Sequence, residues 1–232
     1  MTYDPRIHHR PSIRLRGHNY GGGGAYFVTC CVEGKECLFG RVEEATMLIN
    51  ESGQVIQQAW AAIPQRFPSV MLDAFQVMPN HWHGILVIPG AGLEPALAVA
   101  TGAPVIHPVR PAPSPRSGQA LGPAKAGARF DITHRPRAKP RGSHGPTRDH
   151  RPSLGDVVGA FKSISTIAVN RLLSRKGPLL QEDYFEHVIR NVDSLEKVRD
   201  YILTNPARWQ EDPENPGRQP GNKLADEWDW PT

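Results

Sequence analysis

The sequence predicts an α+β domain in which helices pack on an antiparallel sheet. Strand-like apolar segments alternate with segments of helical periodicity, two of the strand segments are joined by a tight turn, and one long stretch is rich in Pro, Gly and Arg. With 232 residues, 39% hydrophobic and 22% charged, the chain can bury one substantial core. We therefore expect a single domain over residues 10–210 and an irregular tail over 211–232.

The first part of the chain predicts a strand, a helix and a hairpin. Residues 25–32 (AYFVTCCV) are β-branched and aromatic and follow four glycines, which indicates a strand. Apolar residues at helical spacing predict a helix over about residues 45–67, with an irregular last turn at Pro64. Residues 70–78 and 81–88 are two further strand segments, and the turn at Pro79 and Asn80 predicts that they pair as a hairpin.

The last part of the chain predicts two helices around a short edge strand. Ser153 is a suitable N-cap for a helix that continues to about residue 173. A short edge strand is expected within residues 179–189. A final helix is expected to begin near Asp193 and Ser194, with Glu196 as a capping partner, and to end at residue 205, because a proline follows.

Residues 90–151 differ in composition from the rest of the chain. Residues 91–150 contain ten Pro and seven Gly, and nine Lys or Arg against three Asp or Glu. Such a segment cannot bury enough apolar surface to offset its ordering entropy, so we predict a disordered basic insertion within the domain. The whole chain carries a net charge of +4, so the remainder is not strongly basic, and a role with nucleic acid must be argued from a site.

Several protein classes are not expected from this sequence. No apolar run is long enough to span a membrane, and no apolar stretch follows the first basic residues as a signal peptide requires. Cys30, Cys31 and Cys37 form neither a disulfide framework nor a CxxC metal pair. We therefore expect a reduced, cytoplasmic protein.

His81 and His83 form the first candidate site. Side chains alternate along a strand, so both imidazoles leave one face while Trp82 leaves the other. Two residues apart on one face is a separation of roughly 7 Å, from which both rings can converge on one cation. The pattern is common by chance, so by itself it does not distinguish a metal site from two ordinary histidines.

Tyr201 and Asn205 form the second candidate site. They lie four residues apart and therefore share one face of the final helix. Spacing alone favours a simpler interpretation, in which the tyrosine lies at the boundary of the core and the asparagine ends the helix.

Several separated segments resemble one protein family. Residues 78–88 (MPNHWHGILVI) are similar to the histidine motif of the HUH single-tyrosine transposases. Residues 184–190 (YFEHVIR) and 200–209 (DYILTNPARW) resemble the tyrosine-bearing end of the REP-associated tyrosine transposases, named for repetitive extragenic palindromes. Residues 14–17 (RLRG), 25–29 (AYFVT) and 37–40 (CLFG) resemble the amino-terminal part of that family, and residues 159–163 (GAFKS) its middle helix. The resemblance covers nearly everything outside the insertion and the tail.

The resemblance implies a ferredoxin-like or RRM-like fold of the HUH class and assigns roles to four residues. His81 and His83 would be metal ligands, Asn205 a third, oxygen ligand, and Tyr201 the nucleophile. The expected cofactor is Mg²⁺ or Mn²⁺; zinc is less expected because no cysteine joins the cluster. The product would be a 5′-phosphotyrosine with a free 3′-hydroxyl, and the bond energy kept in it would allow rejoining without ATP.

The resemblance also implies a partner, namely single-stranded DNA in the form of palindromic hairpins with a short flanking tag. Arg14 and Arg16 alternate on an extended segment and would reach bases or phosphates, and Lys162 and Arg190 are further candidates for backbone contacts. Each of these four is equally explained as a solvated surface charge. The chain would act as a monomer or a homodimer.

Three alternatives remain open from the sequence. The first is a nucleic-acid-binding module on the same sheet that has lost catalysis. The second is a metal-dependent phosphodiester hydrolase in which water attacks and Tyr201 only positions phosphate. The third assigns the nucleophile to Tyr184, whose neighbours suggest packing and which lacks an asparagine partner.

Overall fold

The computed structural model describes residues 18–20, 22–93, 95–101, 110–111 and 151–218. The strands are β1 Gly24–Cys31, β2 Gly40–Glu43, β3 Thr46–Ile49, β4 Met71–Val77, β5 His81–Ile88, β6 Arg110–Pro111 and β7 Phe185–Ile189. The helices are α1 Glu51–Ala61, α2 Ile63–Arg66, α3 Pro95–Ala100, α4 Leu154–Leu172 and α5 Val192–Thr204, with 3-10 helices at Glu33–Lys35 and Asn205–Glu211.

The main sheet has four strands in the order β4-β5-β1-β7, and every neighbouring pair is antiparallel. Helix α1 lies between β1 and β4 in the chain, and α4 lies between β5 and β7. This is the β-α-β-β-α-β connectivity of a ferredoxin-like fold, and it confirms the predicted α+β class. Strands β2, β3 and β6 form a small second sheet beside it.

The two faces of the main sheet carry separate cores. On the first, which we call the α1/α4 face, alternate strand residues pack with residues of α1 and α4; its large members include Tyr26, Trp60, Trp82 and Phe161. On the second, which we call the α5 face, the intervening strand residues pack with residues of α3 and α5; its members include Phe27, Ile85, Leu97, Val198 and Ile202. Because a strand is pleated, successive residues of each strand lie in opposite cores.

The predicted helix over residues 45–67 was wrong at its start. Residues 46–49 form strand β3, because Glu44 and Ala45 adopt φ angles of 48° and 60° and turn the chain back from β2. Helix α1 begins only after Asn50, whose side chain accepts a hydrogen bond from the backbone N–H of Gly53. The irregularity at Pro64 is confirmed, since α1 ends before Ala62 and Pro64 lies in the first turn of α2.

The later elements follow the sequence closely. Ser153 caps α4, and its exchange of hydrogen bonds with Asp156 completes a capping box. The edge strand is β7, which pairs with β1 at the margin of the sheet. The start of α5 differs from the prediction. Its N-cap is Asn191, whose side chain accepts a hydrogen bond from the backbone N–H of Ser194.

Ordered structure extends into the segment predicted as a disordered insertion. Helix α3 lies within it, and Leu97 is buried in the core of the α5 face. Arg199 of α5 forms an ion pair with the buried Asp73 of β4 and donates to the carbonyl of Ala100 at 2.9 Å, which ties α3 to the sheet. Residues 102–109 and 112–150 lie outside the described part, and so do Arg14 and Arg16.

Among the described residues, no helix has the length and apolar character needed to cross a membrane.

Candidate functional site

The two histidines of β5 lie together on the α5 face. Their Nε2 atoms are 3.0 Å apart, and the residues are only 0% (His81) and 3% (His83) exposed. Trp82, between them in sequence, lies in the opposite core. The predicted alternation is therefore confirmed, and both imidazoles present a nitrogen to one small volume.

One polar side chain lies behind each histidine. The Oδ1 of Asn80 is 3.0 Å from Nδ1 of His81. The Oγ1 of Thr29, which lies directly opposite His83 in the pairing of β1 with β5, is 2.7 Å from Nδ1 of His83. Each Nδ1 is thus occupied, and each Nε2 is left to face the site.

Helix α5 brings Tyr201 to the same place. Its ring centroid is 5.3 Å from that of His83 and 5.8 Å from that of Phe27. Val198 and Ile202 on the same helix are fully buried in the core of the α5 face, which holds the tyrosine against the sheet. Packing of a helix on a strand therefore joins two motifs more than one hundred residues apart.

Tyr184, the other candidate nucleophile, lies elsewhere. It packs at the margin of the core on the α1/α4 face, whereas Tyr201 and the histidines belong to the α5 face. The sheet thus separates Tyr184 from the histidine pair.

Asn205 is the first residue of the 3-10 helix that follows α5. It is 3% exposed and forms a hydrogen bond with the hydroxyl of Tyr201. Its Oδ1 is buried and has no hydrogen-bond partner among the described residues. A buried acceptor without a partner is costly, and a cation is one group that would satisfy it.

Asp212, in the stretch predicted to be an irregular tail, lies beside the histidines. Asp212 is 7% exposed, and its Oδ2 is 3.6 Å from Nε2 of His81. One ligand atom from each of His81, His83 and Asp212 lies within 4.8 Å of the other two. No pattern in the sequence distinguished this carboxylate from its acidic neighbours, because only the course of the chain after the 3-10 helix brings it inward.

Residues 212–215, which we call the Asp212 segment, are held to the sheet by several contacts. Asn80 donates to the carbonyl of Glu214 at 2.6 Å, and Lys35 donates to the carbonyl of Pro213 at 3.0 Å. The Lys35 ammonium also lies 3.5 Å from the Glu214 carboxylate. Asp212 itself accepts the backbone N–H of Glu214 at 2.7 Å. These contacts orient its free oxygen toward the histidines.

Burial keeps both imidazoles neutral. It lowers the pKa of His81 to about 4, against a smaller opposing effect of Glu214. It lowers the pKa of His83 well below its usual value, and the neighbouring His81 lowers it further. Neutral imidazoles have the lone pair that metal coordination requires.

Burial acts in the opposite direction on the acidic groups. It raises the pKa of Tyr201 to about 12, and the charge of Asp212 adds to this effect, while the hydrogen bond from Asn205 and the charge of Arg208 lower it. Burial likewise raises the pKa of Asp212, against the N–H of Glu214 and the charge of Lys35. Without a cation the fold therefore disfavours the charged forms of both acids, and a cation bound beside them would favour those forms.

The donor set could hold a metal ion, because ligand atoms of His81, His83 and Asp212 lie within 4.8 Å of one another. Two imidazole nitrogens with carboxylate or amide oxygens suit Mg²⁺ or Mn²⁺.

Cys31 lies near this donor set, and its thiol is protonated when no metal is bound. It pairs with His81 in the β1–β5 register and interacts with Glu214. Burial raises the pKa of its thiol to about 12, so it stays protonated at neutral pH.

Two of the candidate DNA-contacting residues can be located. Lys162 donates to the carbonyls of Gln181 and Glu182, both at 2.6 Å, so its ammonium holds the loop before β7. Arg190 is exposed and follows β7 at the end of that strand far from the histidines, because β7 pairs Phe185 with Thr29 and Ile189 with Ala25. Strand rise places it roughly 16 Å from the level of Phe185.

Comparison with known proteins gives a relative but no reaction. No family model matches the chain. An uncharacterized protein of Haemophilus influenzae is 32% identical over 210 residues, which is 90% of this chain and 95% of that protein.

Two solved structures are similar to this chain at low sequence identity. A REP-associated tyrosine transposase bound to a REP hairpin is 15% identical, with a TM-score of 0.47 over 86% of this chain and 80% of that one. A candidate transposase from Deinococcus radiodurans is 13% identical, with a TM-score of 0.36 over 82% of this chain and 95% of that one. The relative shown by sequence is the Haemophilus influenzae protein, and this chain belongs to the same family as that protein.

Proposed function

We propose that this chain is a metal-dependent endonuclease and strand transferase, a transposase of single-stranded DNA that uses Tyr201 as its nucleophile. The observation that supports this most strongly is the placement of the Tyr201 ring 5.3 Å from the His83 ring, beside two neutral imidazoles. The resemblance of both segments to the motifs of HUH transposases agrees with it.

His81 and His83 would hold the cation, with oxygen ligands from Asp212 and Asn205. The buried Oδ1 of Asn205 without a partner supports its predicted role, and the 3.6 Å distance from Asp212 to His81 supports the carboxylate. Bound there, the metal would draw charge from a non-bridging phosphate oxygen and orient the phosphorus for in-line attack.

Tyr201 must lose its proton to attack. A pKa raised to about 12 leaves the phenol protonated at neutral pH, so the phenolate needs added positive charge. The amide N–H of Asn205 and the charge of Arg208 already favour the phenolate. The covalent intermediate is thereby restricted to complexes in which the site is neutralised.

The bonds balance without an energy source. The Oη of Tyr201 forms a bond to phosphorus while the bond from phosphorus to the 3′-oxygen breaks, and the departing oxygen takes up a proton. The product is a 5′-phosphotyrosine with a free 3′-hydroxyl. A second 3′-hydroxyl can then attack the same phosphorus and release Tyr201, which joins two strands.

The proposed substrate is a palindromic DNA hairpin with a short single-stranded tag. A partly buried tyrosine on the α5 face is more accessible to an unpaired, splayed strand than to a closed duplex, which supports this choice. Arg14, Arg16, Lys162 and Arg190 remain predicted DNA contacts, although the carbonyls held by Lys162 favour a structural role for that residue. The chain is proposed to act as a monomer or a homodimer.

The decisive experiment is a search for a covalent adduct. Purified protein would be incubated with labelled single-stranded hairpin oligonucleotides taken from intergenic palindromes of the source genome, with Mn²⁺ or Mg²⁺, and resolved on a denaturing gel. We expect a metal-dependent adduct in wild type and none in Tyr201→Phe or His81→Ala. Tyr184→Phe is the matched control and should retain it, because that phenol lies on the other face.

The other outcomes separate the alternatives. Cleavage without an adduct that survives Tyr201→Phe would favour the hydrolase. An adduct that is lost in Tyr184→Phe and kept in Tyr201→Phe would assign the nucleophile to Tyr184. Hairpin binding without cleavage under either metal would favour a binding module.

A further inference from the structure

The orientation of the Asn80 amide is decided by its neighbours. Its Nδ2 lies 3.0 Å from the carbonyl oxygen of Lys35 and 2.6 Å from that of Glu214. Carbonyl oxygens only accept, so this end must be the NH₂ group. The other end, Oδ1, is therefore the atom 3.0 Å from Nδ1 of His81.

This orientation determines the tautomer of His81. The Oδ1 of Asn80 only accepts, so Nδ1 of His81 must carry the hydrogen. In a neutral imidazole the second nitrogen then has no hydrogen. The Nε2 of His81 consequently presents a lone pair to the site, with or without a metal.

The tautomer of His83 depends on whether a cation is bound. Its Nε2 lies 3.0 Å from Nε2 of His81, which carries a lone pair, so without a cation the Nε2 of His83 is stable only as an N–H donor. Its Nδ1 is then the acceptor, and the Thr29 hydroxyl 2.7 Å away must donate. When both Nε2 atoms bind one cation, the hydrogen of His83 must lie on Nδ1 instead, and the Thr29 oxygen must accept.

We propose that Thr29 is a positioning residue whose hydroxyl reverses from donor to acceptor when the divalent cation binds, so that His83 changes tautomer while Asn80 keeps His81 in one form. This inference rests on the metal site of the proposed function but not on the nucleophile. The balance is simple, since His83 loses the proton on Nε2 and gains one on Nδ1 through solvent. A hydroxyl can form a hydrogen bond with either tautomer of His83, whereas a pure donor or a pure acceptor at position 29 could do so with only one.

Thr29→Val is nearly isosteric and removes the hydroxyl. With valine, both forms lose the hydrogen bond at Nδ1 of His83: the metal-free form is left with an acceptor without a donor, and the metal-bound form with an Nδ1–H without an acceptor. The second loss is the larger, because the acceptor behind a metal-bound imidazole orients the ring and raises its basicity as a ligand. We expect affinity for Mn²⁺, measured by electron paramagnetic resonance on protein without DNA, to fall about tenfold or more. Thr29→Ser restores the hydroxyl and should restore the affinity, and Thr46→Val, at an exposed threonine of β3, is the control for the substitution itself.

The tautomers can be observed directly. In long-range ¹H–¹⁵N spectra of protein with labelled histidine, assigned with His81→Asn and His83→Asn, wild type should show Nδ1–H on His81 throughout. His83 should change from Nε2–H to Nδ1–H as Mg²⁺ is added. An unchanged His83 tautomer, or wild-type Mn²⁺ affinity in Thr29→Val, would overturn the proposal.

These readouts need neither DNA nor cleavage, so the proposal and the nucleophilic role of Tyr201 can fail separately. If Thr29→Val does not fold, the wild-type and Thr29→Ser spectra still decide the question. Absence of any Mg²⁺ or Mn²⁺ binding in wild type would overturn both this proposal and the proposed metal dependence.

Discussion

The two faces of the main sheet differ in what the same strands supply to them. On the α1/α4 face, Trp60 stacks on Phe75 with ring centroids 4.6 Å apart, and Trp82 lies 4.8 Å from Phe161. On the α5 face, β5 supplies His81 and His83 instead, at the same level of the sheet. One strand thus gives its alternate residues to a tightly packed core and to a polar site.

This arrangement explains how a buried polar site can be rigid. Gly84 follows His83, and a Cβ there would lie 2.5 Å from the ring of Trp60, so the backbone of β5 is pressed against the aromatic core. The histidines are therefore carried on a strand that packing on the other face holds in place. Packing on the α1/α4 face therefore fixes the position of the histidines on the α5 face.

The largest effect should come from the aromatic face. Trp82→Ala removes a fully buried ring from the core and should lower the free energy of unfolding by about 3–5 kcal/mol. His83→Asn, one residue away, should lower it far less and yet abolish the covalent adduct. Urea unfolding of both variants at pH 7 without metal is the measurement. Equal destabilisation by the two would break the contrast between the faces.

A second, smaller effect should appear in acid and depend on the α5 face. The pKa of His81 is lowered in the fold to about 4, from an unfolded value of about 6.5. The stabilisation from keeping it neutral is thus complete above pH 6.5 and is lost as the pH falls toward 4. By linkage, metal-free protein should lose about 2 kcal/mol of unfolding free energy from pH 7 to pH 5 through this residue.

The control for that prediction is His81→Asn, whose unfolding free energy should change less over the same interval. Identical pH dependence in wild type and variant would show that His81 is not held neutral by the fold.

A third effect concerns Asp212. Asp212→Asn keeps the shape and the acceptor for the Glu214 N–H but removes the charge near His81. We expect Mn²⁺ affinity to fall by about tenfold or more, since a charged ligand becomes a neutral one. Glu211→Gln removes the same charge one residue earlier and should change little. Similar losses of Mn²⁺ affinity in both variants would show that Asp212 contributes only its charge and is not a ligand.

The smallest effect is expected at Arg190, at the far end of β7. If it contacts a phosphate, Arg190→Ala should weaken hairpin binding only a few-fold and reduce its salt dependence. The matched control is Arg171→Ala, at an exposed arginine in the last turn of α4. Binding titrations at two salt concentrations would compare them, and indistinguishable variants would contradict a specific contact.

Much of the fold could be predicted because its signals are local. The alternation of His81, Trp82 and His83, the hairpin at Pro79 and Asn80, and the cap at Ser153 each depend on a few neighbouring residues. The start of α1 could not, because Ala45 and the apolar residues after it fit a helical pattern as well as a strand. The turn with positive φ at Glu44 and Ala45 makes the following residues a strand, which the sequence pattern did not indicate.

The candidate site divides in the same way. The residues with chemistry in adjacent positions, His81 with His83 and Tyr201 with Asn205, could be proposed from spacing and resemblance. The positions of Asn80 and Thr29 behind the histidines could not be predicted. The pairing of β1 with β5 places Thr29 opposite His83, and the contact with Glu214 in the tail orients Asn80. Lys162 was predicted as a DNA contact, yet its ammonium holds two carbonyls that no sequence pattern reveals.

The sequence by itself determined the fold class, the histidine pair on one strand face and the tyrosine on the final helix, since periodicity and short motifs encode these. Only the tertiary structure decided that Asp212 joins the histidines and that Asn80 connects His81 to the Asp212 segment. The physical reason is that these relations arise where distant segments are buried together. The direction of a tail is set by its contacts with the sheet and not by its own sequence.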